Sequence, residues 1–264
     1  MGRVGSEGKY KTITLEDQGA SMKVWSLDSE HYDAFSPAVL GLGDISARAE
    51  QIQSLAAIFD LSGFTKFCSQ VDPHLAVPEY LSCFLNWLFD EIKRGLLKEK
   101  SDKETLLWAS LPFLAKFLGD GLLFLWDTEK TTGAEICNIV TSLWEICDNY
   151  EHEFYTDIRR IVTKPPEILR CGVSRGIVFS VGNGEDYVGP CINIAARLQK
   201  LSSLTFCVSR RGFDFEKDMP EETSEKYVLK SVSLRGIGDD ELVWVRKEEF
   251  YLLPDDEKVL FKNP

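Results

Sequence analysis

The chain has 264 residues, 44% of them apolar and 27% charged, the proportions of a globular protein with a substantial core. Thirty Lys and Arg stand against 42 Asp and Glu, a net charge of −12. That balance argues against a general nucleic-acid binder and against attachment to anionic lipid, since both need a basic footprint. It leaves room for a small anion bound through a few local groups or metal ions.

The N-terminal MGRVGSEGKYK has no apolar core of signal-peptide length. The stretch from Leu106 to Trp126 is apolar but interrupted by Pro112, Lys116, Gly119 and Asp120, where a membrane span should be uniform. A soluble, cytoplasmic protein without membrane contact is therefore expected. Seven scattered cysteines without a CxxC pair, and three histidines without HxxxH spacing, give a structural zinc site little support. Reduced cysteines packed as small hydrophobes are the plain reading.

Residues 1–50 carry polar runs and glycine turns, and read as an N-terminal extension partly ordered by Trp25 and Tyr32. Leu55 to Phe59 is a short apolar run ending at Asp60, as a buried strand ends at a loop. Ser62 or Thr65 can cap the helix that follows. Pro78 then starts a long amphipathic helix to about Glu99, with Tyr80, Leu81, Phe84, Leu85, Leu88, Phe89 and Ile92 on one face. Phe113–Leu118 and Leu122–Trp126 form two buried strands around a Gly-Asp-Gly turn. A helix is expected from about Gly133 to Phe154, and Pro165-Pro166 breaks the chain. Ile168–Val173 and Gly176–Val181 read as another strand pair, leading to the turn Gly182-Asn183-Gly184. A helix over Asn193–Leu201, a strand over Thr205–Ser209 and a closing hairpin of Tyr227–Leu234 with Glu241–Arg246 complete the pattern. The order describes an α+β fold, a ferredoxin-like split βαβ core with an additional hairpin.

Two aspartates stand out by position. Asp60 ends a predicted central strand, and Asp120 sits at the tip of the hairpin that should pack beside it. Two carboxylates at adjacent strand ends suit Mg²⁺ or Mn²⁺, hard ions that prefer oxygen ligands. Each has an ordinary alternative: Asp before Gly is a common turn residue, and Asp after a strand is a common helix-entry residue.

Three blocks then carry a family resemblance. Phe59-Asp-Leu-Ser-Gly-Phe-Thr65, Lys116-Phe-Leu-Gly-Asp120 and Asp186-Tyr-Val-Gly-Pro-Cys-Ile-Asn-Ile-Ala-Ala-Arg197 resemble, in order, the signature segments of class III nucleotidyl (adenylate and guanylate) cyclases. The resemblance covers about Ala56 to Val245 and implies a catalytic domain over residues 51–250 with a C-terminal tail over 251–264. It implies that Asp60 and Asp120 bind two divalent cations, Mn²⁺ or Mg²⁺, with the Leu61 carbonyl as an extra ligand. Ser62, Gly63, Phe64 and Thr65 would cradle phosphate through backbone N–H groups. Arg197 would stabilise charge on the transferring phosphoryl group and Asn193 would orient the ribose; four residues apart, they share a helix face. A solvated arginine and a capping asparagine are the bland alternative. Arg235 occupies the place of a phosphate-binding lysine, or is a surface turn residue. Lys116 and Asp186 would face the base, an adenylate-like pair, or form a structural ion pair.

A finer resemblance covers Ile58–Cys68, Asp72-Pro73 and Leu75–Leu81, which look like the pyrimidine cyclases of the bacterial Pycsar antiphage system. It implies conversion of UTP, or next CTP, to cyclic UMP or cyclic CMP, a second messenger read by a downstream effector. Class III cyclases build their sites across a dimer interface, so the resemblance also implies a homodimer. A bacterial adenylate cyclase and a non-catalytic nucleotide-binding dimerisation module are the competing readings.

Overall fold

The computed structural model describes residues 11–17, 20–201 and 203–264. Residues 1–10 of the segment read as an N-terminal extension lie outside the described residues. Two compact units emerge, Met1–Glu50 with Phe179–Val188, and Gln51–Val178 with Gly189–Pro264.

In the first unit β1 (Lys11–Asp17) and β2 (Ala20–Ser26) form an antiparallel hairpin, followed by α1 (Ser29–Asp33). Trp25 and Tyr32, expected to help order this segment, are 73% and 72% exposed. Within this unit the Glu50 amide donates to the Ser180 hydroxyl oxygen at 2.8 Å, the Ser180 amide to the Glu50 carbonyl at 2.9 Å, and the Asn183 amide to the Leu42 carbonyl at 3.1 Å.

The second unit begins with β3 (Gln51–Ser62), α2 (Phe64–Phe67), α3 (Pro73–Leu96) and the small ladder β4 (Leu97–Lys100) with β5 (Thr105–Leu107). Next come β6 (Leu114–Phe117), β7 (Gly121–Asp127) and α4 (Gly133–Asn149), which runs through a π-helical turn, Tyr150–Phe154, into α5 (Tyr155–Ile158). β8 (Ile168–Val181), β9 (Asp186–Val188), α6 (Pro190–Leu198) and β10 (Phe206–Ser209) follow. Short helices α7 (Phe215–Asp218) and α8 (Glu221–Ser224) precede β11 (Tyr227–Leu234) and β12 (Gly238–Arg246). The chain ends in α9 (Lys247–Leu252), α10 (Asp255–Lys258) and β13 (Phe261–Lys262).

The large sheet has the order β13-β11-β12-β10-β8-β3-β7-β6, with β9 on the end of β8. The run β8-β3-β7-β6 takes the fourth, first, third and second strands of a β3-α3-β6-β7-α4-β8 unit, which is the ferredoxin-like split βαβ arrangement. Alternation along β3 sends Leu55, Ala57, Phe59 and Leu61 into the core shared with Tyr80, Phe84 and Leu88 of α3 and Ile139 and Leu143 of α4. Full burial of side chains such as Phe59 and Phe84 contributes about 1.5–3 kcal/mol each. A second cluster gathers Ile194 and Leu198 of α6 with Val243 and Val245 of β12 and Phe261 of β13. Among the described residues no helix is long and apolar enough to cross a membrane.

Several expectations are corrected. β3 continues two residues past Asp60, because the Leu61 amide stays in the ladder. Neither Ser62 nor Thr65 caps α2; Gly63, at φ 82°, takes the N-cap position without a side-chain hydrogen bond. α3 starts at Pro73, and Pro78 lies inside it, early enough that little of the hydrogen-bond ladder precedes it. β6 is an exposed edge strand rather than a buried one, and Phe89 is 42% exposed. The strand pair expected over 168–181 is one strand of 14 residues. No reversal occurs at Gly176, since Arg175 is held across the sheet by the Thr128 hydroxyl and carbonyl, both at 3.0 Å, and by the Gly212 carbonyl at 2.9 Å.

Candidate functional site

Asp60 lies on the β3 face opposite Phe59 and Leu61, away from α3 and α4. Its Cα pairs with Gly121 of β7 in the antiparallel register. One residue on, the Leu61 amide donates to the Asp120 carbonyl at 2.9 Å, so the two aspartates sit on adjacent backbone segments. A side chain at position 121 would bring its Cβ within 2.0 Å of the Phe59 carbonyl oxygen. Glycine there permits this close approach. The β6–β7 turn is closed by the Leu118 amide on the Gly121 carbonyl at 2.8 Å, which holds Asp120 half-buried at its tip.

The electrostatics follow from that geometry. Burial raises the Asp60 carboxyl above its ordinary value, and the nearby Asp120 charge pushes the same way. Lys200 and Arg170 oppose them. The Lys200 ammonium is 4.0 Å from Asp60 Oδ1; the Asp60 side chain is 14% exposed and that of Lys200 62%. Two carboxylates crowded on one edge, one of them desolvated, form a place that favours a cation. Among the described residues no group of three or more His, Cys, Asp or Glu could hold a metal ion. The donor set is therefore two carboxylates with carbonyl oxygen nearby. It fits a hard divalent ion that keeps water or substrate oxygens in its remaining positions.

Of the other residues singled out from sequence, Ser62 ends β3, Gly63 is left-handed, and Phe64 and Thr65 begin α2, directly after Asp60 and Leu61. Phe64 is buried and Thr65 exposed. Asn193 and Arg197 lie on α6, both exposed. Arg235 is exposed in the β11–β12 turn. Lys116 is exposed on β6, paired in register with Leu123. Asp186 begins β9 in the first unit, half-buried, with its carboxylate accepting from the Tyr187 amide at 2.9 Å.

Sequence reasoning missed Lys200 and Arg170. Lys200 follows α6 by two residues, and Arg170 sits on β8; their relation to Asp60 depends on strand order, which no local pattern announces.

A cavity of about 670 Å³ opens beside this edge, lined by Ser62, Gly63, Lys66, Gln70, Lys164 and Pro166 among others. Its walls are tied to the core. Tyr150 donates to the Pro166 carbonyl at 2.6 Å, so the Tyr80 hydroxyl, 2.7 Å away, donates to Tyr150. The Phe64 and Phe67 rings of α2 pack against Tyr80, with centroids 6.3 and 5.1 Å away.

No family model and no curated protein sequence matches the chain. Solved structures do. The adenylyl cyclase CyaB from P. aeruginosa is similar at 13% identity and a TM-score of 0.57, covering 76% of this chain and 96% of its own. The guanylyl cyclase Cya2 is similar at 16% identity and a TM-score of 0.56, over 76% of this chain and 94% of its own. The catalytic core of a rhodopsin-guanylyl cyclase with converted specificity, solved with ATPαS, is similar at 17% identity and a TM-score of 0.50, over 76% and 98%. The chain has the mixed α+β fold of class III cyclase catalytic domains.

Proposed function

We propose that this chain is a metal-dependent nucleotidyl cyclase that converts a pyrimidine nucleoside triphosphate, UTP before CTP, to the 3′,5′-cyclic monophosphate and pyrophosphate. The observation that carries the cyclase reading is the side-by-side setting of Asp60 and Asp120 on a fold shared with adenylyl and guanylyl cyclases. The pyrimidine preference rests on the sequence likeness of residues 58–81 to Pycsar cyclases, and with it the role as an antiphage second-messenger source read by a downstream effector.

In the reaction the ribose 3′-hydroxyl gives up its proton to solvent and its oxygen forms a bond to the α-phosphorus as the bond to pyrophosphate breaks. Asp60 and Asp120, with the Leu61 carbonyl, would hold two divalent ions, Mn²⁺ or Mg²⁺, whose positive charge would make the hydroxyl a better nucleophile and the pyrophosphate a better leaving group. Backbone N–H groups from Ser62 to Thr65 meet phosphate oxygens, and Arg235 adds charge. Arg197 stabilises the transferring phosphoryl group, and Asn193 orients the ribose from the same helix face. Lys116 and Asp186 read the base edge.

The reading includes a homodimer with sites at its interface. In its support, Leu107, Trp108, Leu111, Phe113, Phe117 and Leu118 form a run of exposed apolar side chains, each 37–50% accessible. In the dimer Arg197 and Asn193 serve the aspartates of the partner.

Purified protein incubated with Mn²⁺ and each of ATP, GTP, CTP and UTP, with the product identified by mass, tests the proposal. Cyclic UMP as the main product is expected. Cyclic AMP as the main product would replace the pyrimidine reading by that of an adenylate cyclase, and no product from any of the four would leave a nucleotide-binding module.

A further inference from the structure

We propose that Lys200 is a built-in cation that neutralises Asp60 while no divalent ion is bound and moves to the triphosphate once ions enter, so that metal and nucleotide bind as a coupled pair. This rests on the two-ion reading of Asp60 and Asp120. The ammonium stands 4.0 Å from Asp60 Oδ1, at the edge where a metal ion would sit. An ammonium and a divalent ion cannot share that space, so one must displace the other.

The backbone behind Lys200 is hydrogen-bonded and its side chain is largely exposed. The Gln199 amide donates to Ala195 O and the Lys200 amide to Arg197 O, both at 3.1 Å, which winds the end of α6 down onto the sheet. There Gly172 of β8 leaves the room: a Cβ on it would fall 2.2 Å from Ala195 O and 2.5 Å from Gln199 N. Gln199 is 5% exposed, whereas the Lys200 side chain is 62% exposed on a flexible four-carbon stem. A released ammonium thus has reach and an anionic destination, the phosphates that accompany the ions.

The coupling has a direction. Without nucleotide, an entering ion must displace Lys200 into water, which weakens metal binding. With a triphosphate present the displaced ammonium gains a new partner.

The test is a Mn²⁺ titration of the full nucleotide-free chain, followed by the electron paramagnetic signal of the free ion. Lys200→Met is expected to tighten Mn²⁺ binding about fivefold, the scale of an exposed ion pair, and Lys200→Arg to stay within about twofold of the parent. At saturating Mn²⁺, calorimetry should find inorganic triphosphate bound about fivefold more weakly by Lys200→Met. Unchanged or weaker Mn²⁺ binding in Lys200→Met overturns the competition, and unchanged triphosphate binding overturns the transfer. Asp60→Asn separates the two levels. If it keeps full Mn²⁺ affinity the two-ion reading itself falls; if it loses Mn²⁺ while Lys200→Met matches the parent, only the role of Lys200 falls.

Discussion

The amide of Leu61 donates to the carbonyl of Asp120 across 2.9 Å, and this one ladder bond carries β3 past Asp60 and pins the second aspartate beside it. It depends on the closeness of β7, which Gly121 allows. Gly121→Ala would place a Cβ 2.0 Å from the Phe59 carbonyl, a backbone atom that cannot rotate away. The expected cost is about 1–3 kcal/mol of stability, read as a lower urea midpoint, with weaker Mn²⁺ binding in the folded protein. A midpoint equal to that of the parent would mean the strands separate there freely, and that the bond does not position Asp120.

Asp60→Asn and Asp120→Asn are each expected to lower turnover by roughly a hundredfold or more, on the scale of removing one key electrostatic contact. Stability should not fall in parallel for Asp60, because burial already disfavours its charged form. Turnover and thermal melting of the metal-free chain check both halves. Near-parental activity in either folded variant would end its assignment as a metal ligand.

Asp60→Ala and Arg197→Ala address whether sites are shared between protomers. Each variant alone should be inactive. Mixed in equal amounts, half the dimers are hybrids with one intact site of two, so about a quarter of parental activity should return. No recovery would mean that Asp60 and Arg197 act within one chain. The Lys200–Asp60 pair already brings the end of α6 to the aspartate of its own chain, which makes this measurement informative.

The contrast between these residues and others explains what sequence could reveal. Asp60 and Asp120 are legible because a short apolar run ending in Asp, and an Asp-Gly turn between two apolar runs, are local patterns with local causes. Lys200 and Arg170 are not, since their closeness to Asp60 arises from the order of strands across the sheet. The unbroken β8 is hidden for a related reason. Gly176 reads as a turn, and the Arg175 contacts to Thr128 and Gly212 that keep the strand straight come from distant segments. Trp25 and Tyr32 mislead in the opposite sense: large aromatic residues read as anchors, but here they face solvent.

The tyrosine relay behind the cavity offers a test of rigidity. Tyr150→Phe removes the donor to the Pro166 carbonyl and the acceptor for Tyr80, leaving buried polar groups without partners. A loss of about 1–3 kcal/mol is expected in urea unfolding. Tyr80→Phe, which removes only the outer donor of the relay, should cost less. Equal costs for the two variants would contradict the direction assigned to the relay.

Glu249 of α9 provides a pH-dependent prediction away from the aspartates. Its carboxylate accepts from the Thr205 amide and hydroxyl, both at 2.8 Å. Burial nevertheless raises its carboxyl above the ordinary 4.5, outweighing those hydrogen bonds and the attraction of Arg246, which lower it. A group that binds its proton more tightly when folded adds stability below its unfolded value and loses it as pH rises through the folded one. Unfolding free energy should therefore carry a downward contribution from Glu249 as pH rises above 4.5. Glu249→Gln cannot titrate, yet its amide oxygen can still accept from Thr205, so the stability of the variant relative to the parent should increase with pH over that range. Urea midpoints of both proteins, measured at several values between about pH 4.5 and pH 7, check this. A shrinking difference would mean that the hydrogen bonds from Thr205 outweigh burial and that the folded protein prefers Glu249 ionised, and a constant one that the two effects balance.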